Sequence, residues 1–87
     1  MKEMFLLKDE SMTPRFELGD RIEVDTEADI NNGDPVVALD DEGKVIMRRF
    51  FHKNDTYLFQ PINTNYEPIV CTSPTIVGKV VRLYRTM

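Results

Sequence analysis

Eighty-seven residues, 41% hydrophobic and 30% charged, suffice for one hydrophobic core and are too few for two. With 11 Lys plus Arg against 15 Asp plus Glu the net charge is −4, which argues against this domain holding nucleic acid by itself, because phosphate affinity comes from clustered cations that release counterions. No apolar run approaches the ~20 residues of a membrane span, Met1 to Glu10 is too charged for a leader, and the lone Cys71 excludes an internal disulfide, so a cytoplasmic protein without a membrane partner is expected.

In chain order the pattern is β. Met4 to Leu7 is a short apolar run that reads as a strand, and Arg21-Ile22-Glu23-Val24-Asp25 alternates strictly with Ile22 and Val24 inward. Between them Pro14 offers at most one helical turn, with Thr13 as its cap. Asn31-Asn32-Gly33-Asp34-Pro35 is a turn signal, after which Val36 to Leu39 resumes a strand. Asp40 to Gly43 connects it to Lys44 through Lys53, and Asn54-Asp55 separates that strand from Thr56 to Gln60. Pro61 to Pro74, with three prolines, is expected to be irregular, and Thr75 through Tyr84 is the last and longest β run. A meander of about seven short strands, with no repeat and no linker, makes residues 1–87 one mostly β domain. Met12, Phe16, Tyr57, Phe59 and Tyr66 are the expected core fillers.

Four ordered motifs carry a family resemblance that covers Lys8 to Arg85. They are Ser11-Met12-Thr13-Pro14 with the Leu18-Gly19-Asp20 turn, the strand Val45-Ile46-Met47-Arg48-Arg49-Phe50, the segment Gln60-Pro61-Ile62-Asn63 through Tyr66 to Ile69, and the closing Ile76-Val77-Gly78-Lys79-Val80-Val81. In this order they resemble the C-terminal domains of LexA, UmuD and lambda-type phage repressors, the S24 serine–lysine peptidase-like family. The Gln-Pro-Ile-Asn and Val-Gly-Lys-Val wording sits closest to the phage repressors. The resemblance implies a small, twisted antiparallel or mixed sheet of the LexA and signal-peptidase type.

It also implies a site. Ser11 falls at the family's nucleophile and Arg48 at its general-base lysine. A serine hydroxyl is a weak nucleophile until a neighbouring base takes its proton, and a buried lysine of depressed pKa can do so. Arginine cannot, for its guanidinium stays protonated and carries donors but no acceptor. Lys44 shares strand parity with Arg48, yet four residues of strand put it about 13 Å away. The expected outcome is a degenerate site with Ser11 as a relic nucleophile and Arg48 needing a carboxylate partner from Asp9, Glu10 or Glu42. His52 and Cys71 have no companions at metal-ligand spacing, so neither metal nor cofactor is expected. The basic clusters Arg48, Arg49, His52, Lys53 and Arg82, Arg85 read as solvated strand faces.

Family members of this kind hold repressor subunits together while a separate N-terminal domain reads the operator. For this chain the resemblance implies homodimers, with higher oligomers as an extension, assembled through Val77, Lys79, Val80, Val81, Arg82, Leu83, Tyr84 and Arg85 on a strand expected to be an unpaired edge. DNA would be met only through another domain, and control would come from a partner such as an antirepressor protein. The alternative is an active self-cleaving serine peptidase of the SOS-response type. Self-cleaving members cut an Ala-Gly or Cys-Gly bond ahead of the domain, and this sequence contains neither dipeptide.

Overall fold

The computed structural model describes residues 1–85, and alternation there becomes register. The strands are β1 (Lys2–Leu6), β2 (Arg21–Asp25), β3 (Pro35–Leu39), β4 (Val45–Lys53), β5 (Thr56–Gln60), β6 (Ile69–Cys71) and β7 (Thr75–Tyr84). They form one antiparallel sheet in the order β1-β2-β7-β3-β4-β5-β6. No helix occurs among the described residues, so none is long and apolar enough to cross a membrane.

Two apolar clusters lie against this sheet. One gathers Leu7, Met12, Phe16, Ile22, Val24, Val37, Met47 and Val80, the other Val36, Ala38, Phe50 and Phe59 with Ile46, Tyr57, Ile69 and Ile76 packed against them. β3 contributes to both, Val37 to the first and Val36 and Ala38 to the second, which is why Val36-Val37-Ala38 is a continuous apolar run rather than an alternating one. β2 faces only the first cluster, and there alternation survives, with Ile22 and Val24 buried between more exposed neighbours.

β7 organises the sheet. It pairs with β2 on one side and β3 on the other, and each ladder shifts register once. Val80 pairs with Val24 and Arg82 with Glu23, leaving Val81 as the extra residue. Gly78 pairs with Val37 and Ile76 with Ala38, leaving Val77 extra. Two bulges in one strand increase its twist and let the sheet curl over its core. Between them sits Gly78, where a Cβ would lie 2.6 Å from the Asp25 carbonyl oxygen and 2.8 Å from Val24 Cγ1. The β2 backbone occupies the space that any side chain would need.

The expectation of β7 as an unpaired edge is thus corrected, with a qualification. β3 covers β7 only from Thr75 to Lys79, and its ladder stops near Pro35, which has no amide hydrogen to donate. From Val80 to Tyr84 the strand is paired to β2 alone, and the side toward β3 is open. Two other expectations also shift. β6 lies within the segment expected to be irregular, paired to β5 through Tyr57↔Cys71, Leu58↔Val70 and Phe59↔Ile69. The residues after Ser11 form successive turns in place of a helical one, with a cis Thr13–Pro14 bond.

Gly78→Ala should cost about 1–3 kcal/mol, the usual range for overpacking, because backbone rather than a flexible side chain must move. Urea unfolding measures it, and a change below about 0.5 kcal/mol would show that the β2–β7 approach is not a tight constraint.

Candidate active site

The serine loop starts where β1 ends. Leu7 donates its amide to the Asp20 carbonyl at 2.8 Å and accepts from the Gly19 amide at 3.0 Å, so the Leu18-Gly19-Asp20 turn closes the loop on itself. Gly19 has φ +90°, a conformation glycine adopts without penalty. Met12 and Phe16 are driven into the first apolar cluster, and the Phe16 amide donates to the Met12 carbonyl at 2.9 Å. Ser11, next to Met12, is carried below the surface with them and is fully buried.

The segment between β5 and β6 clamps this loop. The Asn63 amide donates to the Ser11 carbonyl at 2.8 Å, and its Nδ2 donates to the Glu10 carbonyl at 3.0 Å and Thr13 Oγ1 at 3.1 Å. Tyr66 accepts from the Glu10 amide at its hydroxyl, 3.2 Å away. Sequence reading recognised the motif but assigned neither residue a contact. The signal available was composition alone: an asparagine and a tyrosine in a proline-rich connection have polar groups that need partners once half-buried.

Arg48 reaches this loop from β4. Its Nη1 donates to Ser11 Oγ at 2.5 Å and to the Met47 carbonyl at 2.8 Å. The Ser11 hydroxyl has one hydrogen, with Asp9 Oδ1 at 2.7 Å and the Met47 carbonyl at 3.4 Å as acceptors, and the shorter contact takes it. Asp9 Oδ1 also accepts from the Ser11 amide at 3.0 Å, while Asp9 Oδ2 lies 3.6 Å from Arg48 Nη1. The Tyr66 ring covers the guanidinium at 5.8 Å, within cation–π range. A carboxylate, a hydroxyl and a guanidinium thus form one chain, Asp9 accepting from Ser11 and Ser11 accepting from Arg48.

Of the three carboxylates weighed as partners for Arg48, the structure brings in Asp9. Glu42 pairs instead with Lys44 at 3.6 Å on the exposed β3–β4 turn. Arg48 itself is only 6% exposed, so it does not belong to the solvated basic face expected around it. His52 remains outside and stacks on Tyr57 with ring centres 4.1 Å apart. Asp9 and Arg48 line a cleft of about 860 Å³ between β1 and β4, together with exposed Met4, Leu6 and Val45. The apolar run of β1 therefore lines an opening more than it fills the core.

A second charge pair fastens the loop to β7. Arg85 donates to the buried Asp20 from Nε at 2.9 Å and from Nη2 at 2.7 Å. These bonds hold the Asp20 carboxyl below its ordinary pKa against the opposing effect of burial, helped by the Glu17 amide at 2.8 Å. Of the eight residues expected at a subunit interface, Val77 and Val80 pack into the core, Lys79 pairs with Asp34 at 3.3 Å and Arg85 with Asp20. Val81, Arg82, Leu83 and Tyr84 are left exposed, and they flank the open half of β7.

Residues 3–81 match the family model described as Peptidase S24-like. The chain is similar to the LexA repressor of Lactobacillus helveticus (strain DPC 4571), 43% identical over 86 residues that cover 95% of this chain and 41% of that protein. It is also similar to the LexA repressors of Lactobacillus acidophilus, 43% identical over 67 residues, and Geobacillus thermodenitrificans, 42% identical over 67 residues, each match covering 77% of this chain and 32% of that protein. The chain thus spans about a third to two fifths of the length of the curated relatives it matches.

Two outcomes follow from the loop contacts. Asn63→Ala removes the side-chain bonds to Glu10, Thr13 and the Asn65 amide, and should lower unfolding stability by about 1–3 kcal/mol in urea titration; no measurable loss would mean the clamp is incidental. Because the folded-state pKa of Asp20 is depressed, its contribution is full above the ordinary carboxylate value near 3.9 and is lost as pH falls through that value toward the depressed one. Asp20→Asn should therefore destabilise the protein at neutral pH, with the gap to the parent narrowing below about pH 4. A gap that stays constant with pH would sink this assignment.

Proposed function

The chain belongs to the S24-like peptidase family, and from that premise we propose that it is the self-associating, regulatory domain of a phage-type transcriptional repressor whose peptidase site is inert. One observation carries the reading. The group that donates to the Ser11 hydroxyl oxygen, at the position of the family's general base, is a guanidinium 2.5 Å away, which cannot accept a proton. A hydroxyl lone pair that accepts from a cation is a poorer nucleophile than a free one.

Residues 1–87 act in this reading as one C-terminal unit, and DNA is read by a separate N-terminal domain. The net charge of −4 supports that division, because phosphate binding draws on clustered cations. Tethering two half-site readers raises their effective concentration at a palindrome, so assembly is itself the regulatory act. The surface for it is the open half of β7, where exposed Val81, Leu83 and Tyr84 flank unpaired backbone groups. Two copies related by a two-fold axis can align these edges antiparallel. The phage or prophage character rests on the Gln60-Pro61-Ile62-Asn63 and Val77-Gly78-Lys79-Val80 wording, and release by a partner such as an antirepressor protein is proposed in place of self-cleavage.

The alternative, an active self-cleaving peptidase of the SOS type, is favoured by a single contact, Asp9 Oδ1 at 2.7 Å from Ser11 Oγ. A carboxylate is by type a far weaker base than a neutral lysine amine, so this contact supports it poorly.

Two measurements decide between these readings. The full-length protein, incubated at mildly alkaline pH with and without activated recombinase filament, should give no cleavage fragment on a gel. A fragment that Ser11→Ala abolishes would restore the peptidase reading. Sedimentation should show a dimer that Leu83→Asp dissociates, since the substitution places a charge on the pairing edge. A parent protein that stays monomeric at high micromolar concentration would remove the assembly role.

A further inference from the structure

Arg48 is not the whole of the block, for Asp9 is built into it. Its carboxylate does three things at once: Oδ1 takes the hydroxyl hydrogen of Ser11, the same oxygen takes the Ser11 amide, and Oδ2 faces the Arg48 guanidinium. The first contact directs the hydroxyl hydrogen at the carboxylate and not at the side chain of residue 48. The third stabilises a positive charge at position 48 whatever its chemistry. With Arg48 only 6% exposed, that charge is poorly screened by water, and a carboxylate within about 4 Å favours the protonated form of any titratable cation there.

We infer that Asp9 is a positioning residue that locks the Ser11–Arg48 pair in its inert state, so that returning a lysine to position 48 does not by itself restore a working base. The inference rests on the reading of the site as inert. In the Arg48→Lys protein, the ammonium sits beside Asp9 and stays protonated at neutral pH. The Ser11 hydrogen still points at the carboxylate. Replacing Asp9 as well removes the counter-charge, and burial then drives the lysine toward its neutral, accepting form. The two positions are thus coupled, and neither change alone unlocks the serine at neutral pH.

A serine-directed probe tests this without any substrate segment. A biotinylated fluorophosphonate reacts when Ser11 Oγ attacks phosphorus: the O–P bond forms, the P–F bond breaks, fluoride leaves and the hydroxyl proton passes to the neutral amine of the introduced lysine. Intact mass spectrometry follows labelling from about pH 6 to 10, a range that brackets a lysine titrating below its ordinary value, in the parent protein and in Asp9→Asn, Arg48→Lys and Asp9→Asn/Arg48→Lys, each with a Ser11→Ala control. Asn keeps the shape and an acceptor oxygen at position 9 while removing the charge.

The parent and Asp9→Asn should remain unlabelled, Arg48→Lys should label only at the alkaline end, and the double variant should label with a midpoint roughly one unit or more lower. Coincident profiles for Arg48→Lys and the double variant, or no labelling of either, would overturn the lock. Labelling of the parent at Ser11 would instead overturn the inert reading, and its loss in Asp9→Asn would make Asp9 a base and overturn both. Should the double variant fail to fold, a stability cycle decides. Asp9→Asn should destabilise the Arg48 protein more than the Arg48→Met protein, and equal losses would show that the two residues are not coupled.

Discussion

A guanidinium withdrawn from water is the constraint around which the loops of this protein are arranged. Burial of an isolated cation costs several kcal/mol, and the structure answers with partners of four kinds. Arg48 has a carboxylate at 3.6 Å, a backbone carbonyl at 2.8 Å, the hydroxyl of Ser11 and the face of Tyr66. Those partners come from three separate parts of the chain. Asp9 and Ser11 belong to the loop after β1, Met47 to β4, and Tyr66 to the connection between β5 and β6. Partnering this charge draws together segments that share no ladder, though its buried Nε has no hydrogen-bond partner, and Asn63 consolidates the same junction with bonds to Ser11, Glu10 and Thr13.

The same junction is tied to the opposite end of the chain. Asp20 closes the serine loop through the Leu7 amide and receives Arg85 from beyond β7. The loop that holds the serine and the strand that presents the open edge are thus connected by one bidentate pair. Planar guanidinium and carboxylate match two bonds at once, a fit lysine would not reproduce.

Much of the fold was legible because its signals are local. Strict alternation marks β2, and the bounds of β5 and β7 follow from turn residues and β-branched runs. β6 was hidden: three residues among prolines carry too little pattern, and only pairing with Tyr57 to Phe59 defines them. The place of β7 was misjudged for a related reason. Length and β-branching say that a segment is a strand, but which strands flank it depends on contacts remote in sequence, and here β2 and β3 each cover a different stretch. At the site, the residue types showed that Arg48 needs an anion and left three carboxylates open. Selecting Asp9 required the path of the loop, which the closure of Leu7 on Asp20 and the burial of Met12 determine.

The proline that ends the β3 ladder bears on how the molecule can aggregate. An exposed strand edge is open-ended by nature: each copy added offers a fresh edge to the next, and fibres result. The free half of β7 is different, since it is a short, one-sided stretch bounded by the β3–β7 ladder at one end. Antiparallel pairing of two such halves about a two-fold consumes both, and nothing of that edge remains to recruit a third copy. By withholding one amide hydrogen, Pro35 leaves a short open stretch that a single pairing would exhaust, and Arg82 among Val81, Leu83 and Tyr84 adds a charge that opposes the flat stacking of further sheets there.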